Sequence, residues 1–151
     1  MTSAARRAAE PLAGHTVEIP VRFAECDSYG VVWHGHYALF FEQAREALTS
    51  RFGFTASKAL RLGYRVPITR MEMRYFKPVV ADTCVRVTAH LRPPEGARLV
   101  LDYEIRDAAG ALLASAQTEQ VVVTASGELL LTFPRMLAEL VREILKSQGD
   151  P

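Results

Sequence analysis

The chemistry-bearing side chains of this chain concentrate between Arg22 and Arg45. The run Cys26-Asp27-Ser28-Tyr29-Gly30-Val31-Val32-Trp33-His34-Gly35-His36-Tyr37 sets an acidic residue, a turn glycine and two histidines just ahead of an apolar stretch with helical spacing. The first N–H groups of a helix have no partner within it and carry partial positive charge, so they suit an oxygen that is developing negative charge. A carboxylate beside such a terminus, partly shielded from water, can act as general base or as nucleophile. The terminus favours the Asp27 anion, whereas the apolar neighbours Val31, Val32 and Trp33 favour the neutral acid.

Each of these residues also has an ordinary structural reading. An aspartate in this position often does no more than cap a turn. Glu42 can pair with Arg45 on a solvated helix face, yet it lies along the helix from the His34 end and is kept as a secondary candidate. His36 divides evenly between surface and pocket wall, and His15 and His90 read as structural or exposed. Cys26 has no base directed at it and is not taken as a nucleophile. Trp33, Tyr37 and Phe41 read as core or as the wall of an apolar pocket.

The elements that must position these groups follow from periodicity. Thr16–Phe23 alternates as a strand with Val17, Ile19, Val21 and Phe23 on one face, and Pro20 marks an edge or bulge. From about His34 to Phe52 the residues Tyr37, Phe40, Phe41, Ala44 and Leu48 recur at helical spacing. A short helix, Ala56–Leu62, stops at Gly63. Strands follow at Val66–Phe76, Val85–Leu91, Leu99–Ile105 and Leu112–Thr124, with a short one ending at Leu131. They are separated by turns at Pro93–Gly96, Asp107–Gly110 and Ala125–Glu128, and they read as an antiparallel meander. Pro134 opens a final helix with Leu137, Leu140, Val141, Ile144 and Leu145 on its apolar side. The expectation is an α+β fold, one domain over residues 15–148 behind a flexible tail, 1–14. A single sheet covers one side of an apolar helix, which predicts a homo-oligomer.

Composition narrows the function classes. The chain has 151 residues, is 49% hydrophobic and 23% charged, and balances 18 Lys+Arg against 17 Asp+Glu. That suits a packed domain and argues against a nucleic-acid partner, which calls for a basic excess. Cys26 and Cys84 show no metal-ligand spacing and read as reduced thiols of a cytoplasmic protein, so no metal site is expected. No apolar run reaches the length of a membrane span. Between residues 65 and 106 there are eight basic and five acidic residues, against three and six from 107 onward. A small phosphate-bearing ligand needs only a few such arginines.

The stretch Cys26-Asp27-x-x-Gly30-Val31-Val32-x-His34-x-x-Tyr37, with Phe41-Glu42-x-Ala44-Arg45 after it, resembles the active-site signature of the 4-hydroxybenzoyl-CoA thioesterase family of the hotdog fold. The element order agrees over roughly residues 16–133. The resemblance implies a long central helix wrapped by an antiparallel sheet, and hydrolysis of an acyl-CoA thioester to free acid and thiol without a cofactor. It makes Asp27 the catalytic carboxylate, as nucleophile or general base, and the His34 N–H the donor to the thioester carbonyl. Glu42 is carried as a third catalytic candidate. Gly30, Val31, Trp33, Tyr37 and Phe41 would line the substrate site, and Arg65, Val66 and Pro67 would line it from a facing subunit of a homodimer or homotetramer. Arg98 falls near the place where relatives often carry a basic cluster for the nucleotide. The Pro93-Pro94-Glu95-Gly96 hairpin is poorer in charge than in several relatives, which leaves an acyl-carrier-protein thioester open as substrate. A hotdog dehydratase or hydratase is the rival enzyme reading, although Asp27-x-x-Gly30 with His34 does not reproduce its motif. A non-catalytic acyl-thioester-binding protein is the third reading.

Overall fold

A computed structural model describes residues 10–149 of the chain. Its strands are β1 (His15–Pro20), β2 (Tyr64–Arg65), β3 (Ile68–Tyr75), β4 (Cys84–Leu91), β5 (Arg98–Arg106), β6 (Leu112–Val121) and β7 (Val123–Thr124). Its helices are α1 (Tyr37–Ser50), α2 (Ala56–Arg61) and α3 (Arg135–Ser147). One five-stranded antiparallel sheet runs in the order β1-β4-β5-β6-β3, and β2 pairs with β7 separately. The architecture is the expected α+β one, with a central helix against an antiparallel sheet and a helix at the C-terminal end.

The period of two along each strand divides the sheet into an apolar inner face and a charged outer one. Val85, Val87, Ala89 and Leu91 of β4 and Leu101, Tyr103 and Ile105 of β5 are buried. They meet Tyr37, Phe40, Phe41, Ala44 and Leu48 of α1, which are buried as well. The rings of Phe41 and Tyr103 lie 5.3 Å apart across this contact. At the other end Leu137, Leu140, Val141 and Ile144 of α3 join the same core. Past α3 the Gln148 side chain behaves like an extra strand partner, accepting from the Leu91 N–H at 2.9 Å and donating to the Leu91 carbonyl at 2.8 Å.

Prolines account for several departures from the expected elements. Beyond Pro20 the β1–β4 register ends, and Phe23–Glu25 forms a 3-10 turn that leaves Phe23 80% exposed rather than facing the core. Pro67 separates β2 from β3 in what the pattern presents as one strand from Val66 to Phe76. The strand expected over Leu112–Thr124 likewise breaks at Val122, which is fully buried between β6 and β7. The helix expected from His34 begins as a 3-10 turn, His34–His36, before the α-helical hydrogen bonding sets in.

The strand order corrects the meander. Strand β3 pairs with β6 and not with β4, so β3 and β1 are the two sheet edges. The segment between β3 and β4 fastens the chain ahead of α1. Val80 bridges to Val31, and the Val79 carbonyl accepts from the Val32 N–H at 2.8 Å. Of the tail expected over residues 1–14, residues 1–9 lie outside the described ones. Glu10–Ala13 runs over the outer sheet face, where the Leu12 N–H donates to Glu104 at 3.1 Å and Arg106 donates to the Glu10 carbonyl at 3.3 Å.

Phe40 is wholly buried between α1 and the sheet. Truncating it leaves a cavity that the packed inner face cannot close, so Phe40→Ala is expected to lower unfolding stability by roughly 3–5 kcal/mol, measurable as a shift of the urea midpoint.

Candidate active site

The Asp27 loop is a small hairpin fastened to the body of the protein. Cys26 bridges to Val32, the Asp27 N–H donates to the Val31 carbonyl at 2.8 Å, and the Gly30 N–H donates to the Asp27 carbonyl at 3.0 Å. Gly30 takes φ 77°, a backbone conformation that costs any side chain with a Cβ. The turn-capping role of aspartate is realised too, since Asp27 Oδ1 accepts from the Tyr29 N–H at 2.8 Å. Only one carboxylate oxygen is used in this way. Among the described residues Oδ2 has no donor, and the side chain is only half-buried, so it can face a ligand.

Glu25 anchors the segment from beneath. It is 4% exposed; its carboxylate accepts from Arg22 Nε at 2.8 Å and from the Arg22 N–H at 3.1 Å. His36 Nε2 stands 3.7 Å from the same carboxylate, and the Glu25 carbonyl accepts from the Trp33 N–H at 2.9 Å. Burial pushes this carboxyl up, but the Arg22 hydrogen bonds, with the charges of Arg22 and His36, outweigh it and hold the group below its ordinary value.

The turn His34–His36 follows and leads directly into α1. The His36 N–H donates to the Trp33 carbonyl at 2.8 Å, while the N–H groups of His34 and Gly35 meet no acceptor among the described residues. These are the orphan donors of a helix start, and the α1 dipole adds to their positive charge. A Cβ on Gly35 would stand 2.5 Å from the indole of Trp33, so a larger residue there would displace that half-exposed ring. Trp33 is 51% exposed and forms an apolar wall beside the two free donors.

Tyr75, the last residue of β3, holds this turn in place. Its hydroxyl donates to the His34 carbonyl at 2.8 Å, and its ring meets Tyr37 edge to face at 4.8 Å. Burial raises the Tyr75 phenol above its ordinary value, so it stays a neutral donor. Burial likewise raises Tyr37; its hydrogen bond to the Val79 backbone opposes this, and charge on Tyr75, Asp27 and Cys26 adds to it. Tyr37, the first residue of α1, thus packs against the Tyr75–His34 clamp.

The other sequence-predicted residues lie elsewhere. Phe41 is 1% exposed and belongs to the core. Glu42 is paired with Arg45. Together with Arg65 and Val66, that pair lines an apolar cavity of about 260 Å³ beside the C-terminal half of α1. Pro67 is exposed just before β3, and Arg98 pairs with Glu119 at 3.7 Å. Arg65, Val66 and Pro67 precede β3 while Tyr75 ends it, so roughly 25 Å of strand separates them from Tyr75 in the same chain. Sequence reasoning missed Glu25, Gly35, Tyr75 and the Val79–Val80 latch. For Tyr75 a signal existed in its parity with Met71 and Met73, which puts its ring on the inner face, but the pattern does not say what that ring reaches.

No group of three or more His, Cys, Asp or Glu side chains among the described residues could hold a metal ion. No described helix is long and apolar enough to cross a membrane.

With the geometry in place, residues 21–141 match the family described as the thioesterase-like superfamily. The Bacillus subtilis protein named "Putative acyl-CoA thioesterase YneP" is 31% identical over 106 residues, which is 70% of this chain and 77% of that one. The 1,4-dihydroxy-2-naphthoyl-CoA hydrolase of Thermosynechococcus vestitus is 29% identical over 102 residues, 67% of this chain and 70% of that one. Among solved structures, a DHNA-CoA thioesterase from Staphylococcus aureus superposes with a TM-score of 0.81 at 27% identity, covering 91% of this chain and 95% of that one.

Because the Glu25 carboxyl titrates below its ordinary 4.5, the stability it contributes is present above that pH and is lost as the pH falls through the folded value. Arg22 is largely exposed, so Glu25→Gln is expected to cost only about 1 kcal/mol at neutral pH. In urea titrations the gap between the variant and the wild type should narrow as the pH is taken below 4.5; a constant gap would contradict the assignment.

Proposed function

The chain belongs to the thioesterase-like superfamily, and from that membership we propose that it hydrolyses acyl-CoA thioesters at the Asp27–His34 site. One observation carries the reading. Asp27 keeps one carboxylate oxygen without a donor among the described residues, and its hairpin, closed by the Cys26–Val32 bridge, runs directly into a helix start with two unpaired N–H groups. The thioester carbonyl oxygen is received by the His34 N–H, with that of Gly35 adjacent. As the tetrahedral intermediate forms, charge gathers on that oxygen, where a preorganised donor is worth about 3 kcal/mol. Asp27 Oδ2 either takes the proton of the attacking water or adds to the carbonyl carbon itself. In the first route the water oxygen stays in the acid as the C–S bond breaks; in the second, C–S cleavage leaves an Asp27 anhydride that a water then hydrolyses to free the acid and the carboxylate, and in both the coenzyme A sulfur leaves with the electron pair and is protonated. A thiolate leaves readily, so one carboxylate with an oxyanion donor is chemically sufficient.

The same reading calls for a second copy. Strand β3 is a sheet edge of eight residues whose outer backbone groups have no strand partner among the described residues, and such an edge invites pairing. Exposed Trp33, Tyr75 and Phe76 flank it on the active-site side. A two-fold copy pairing along β3 would cover this surface and extend the sheet across both chains.

Asp27→Asn keeps the acceptor for the Tyr29 N–H and removes the base. It is expected to lower kcat for thiol release from acyl-CoA by about 10²–10⁴-fold while leaving the thermal melt in place. Wild-type kcat in the folded variant would sink the assignment. Tyr75→Phe frees the His34 carbonyl and is expected to lower kcat more than it changes KM in the same assay, since the turn that holds the oxyanion loses its clamp.

A further inference from the structure

The turn His34–His36 carries two N–H groups without an acceptor, and Gly35 at its centre has no side chain to restrain the backbone. Two such donors serve one carbonyl oxygen only if the chain between them keeps one conformation. The turn is tied from outside at both ends. At its beginning the Tyr75 hydroxyl donates to the His34 carbonyl at 2.8 Å. At its end the His36 ring meets the Glu25 carboxylate, 3.7 Å from Nε2, and the edge of the Phe40 ring, with centroids 5.6 Å apart. Glu25 is the one charged partner of the His36 ring among the described residues. The 3.7 Å approach is an ion-pair distance, and contacts of this kind are often longer without substrate than with it. Glu25 also holds the approach to the turn, since its carbonyl accepts from the Trp33 N–H at 2.9 Å. One residue thus grips the chain on both sides of the two donors. Arg22 fixes where its oxygens point, with Nε donating to Oε1 at 2.8 Å and the backbone N–H to Oε2 at 3.1 Å. Burying a carboxylate is a poor device for stability alone, because an apolar group of the same shape avoids its desolvation cost. What a fixed, buried carboxylate supplies is direction.

We infer that Glu25 and His36 form a positioning pair for hydrolysis: through the His36 ring the buried carboxylate fixes the end of the donor turn and keeps the His34 and Gly35 N–H groups in the conformation that receives the thioester carbonyl. The inference rests on the thioesterase reading and adds two residues that act through the turn without touching substrate. Because the carbonyl oxygen gathers charge only as the tetrahedral intermediate forms, a loosened turn weakens the transition state more than the bound thioester. The pair therefore acts on kcat, and its two members act as one unit.

The test is a double-mutant cycle on thiol release from benzoyl-CoA or decanoyl-CoA, whichever the wild type cleaves faster. His36→Leu keeps bulk against Phe40 and removes the ring nitrogen. It is expected to lower kcat about tenfold, less than the roughly 10²-fold that a full ångström of misplacement can cost, with KM within about twofold of wild type. His36→Gln carries a donor nitrogen the same number of bonds from Cβ and is expected to restore kcat to within about threefold of wild type. Glu25→Gln is expected to lower kcat at least about threefold beside the native His36 and to change nothing further beside Leu at that position. Equal losses in the Leu and Gln variants of His36, a change in KM alone, or the same factor for Glu25→Gln in both backgrounds overturns the inference. His36→Ala replaces His36→Leu if the latter does not fold. Amide order parameters from ¹⁵N relaxation read the same pair without turnover. Those of His34 and Gly35 are expected near about 0.85 in the wild type and below about 0.6 in His36→Leu. That fall supports the pair even if no acyl-CoA is cleaved, a result that would remove the thioesterase reading alone. Order parameters that keep their wild-type values in His36→Leu overturn the inference.

Discussion

Covering an apolar helix with a single curved sheet is the constraint on which the rest of the molecule depends. Phe40, Phe41, Ala44 and Leu48 share one core with the inner faces of β4 and β5, and α1 lies against β1 and β4. That orientation delivers the start of the helix to the rim where β1 and β3 both end. A helix start is a place where backbone donors go unpaired, so the packing that stabilises the fold also presents unpaired donors at its edge, the place proposed for the oxyanion.

Around that start the same groups serve structure and chemistry together. Asp27 commits one oxygen to its own turn and keeps the other free. Glu25, buried and charged, ties the entry of the loop to Arg22 and its exit to Trp33. Tyr75 links the turn at His34 to the last residue of an edge strand. That bond ties the turn carrying the unpaired donors to the β3 edge, so a partner strand pairing with β3 would also steady the proposed carbonyl site.

Much of this was legible in the sequence. Helix and strand periods placed α1, α3 and the β4-β5-β6 hairpins because these elements bury one face against a common core and their patterns are strong. The Asp27–His34 stretch stood out through a dense local motif. Features that depend on contacts between distant segments were not legible. The pairing of β3 with β6 requires the connection from β3 to β4 to cross β6 and β5, and no local pattern encodes that order. Pro20 and Pro67 were visible, but not that each would end a strand in full. Glu25 reads as one more polar loop residue until burial and Arg22 make it an anchor. Likewise no local pattern shows that Glu42, a candidate catalytic group, and Arg65, expected to line the site from a facing subunit, border one apolar cavity beside the C-terminal half of α1.

The most direct measurement is a crystal structure of the protein with an acyl-CoA analogue whose thioester sulfur is replaced by CH₂, which keeps the carbonyl and cannot be hydrolysed. The account predicts the carbonyl oxygen at about 2.7–3.1 Å from the His34 nitrogen, with Asp27 Oδ2 facing the carbonyl carbon. A complex in which the carbonyl rests against another part of the surface, with the His34 and Gly35 N–H groups still unpaired, would contradict it.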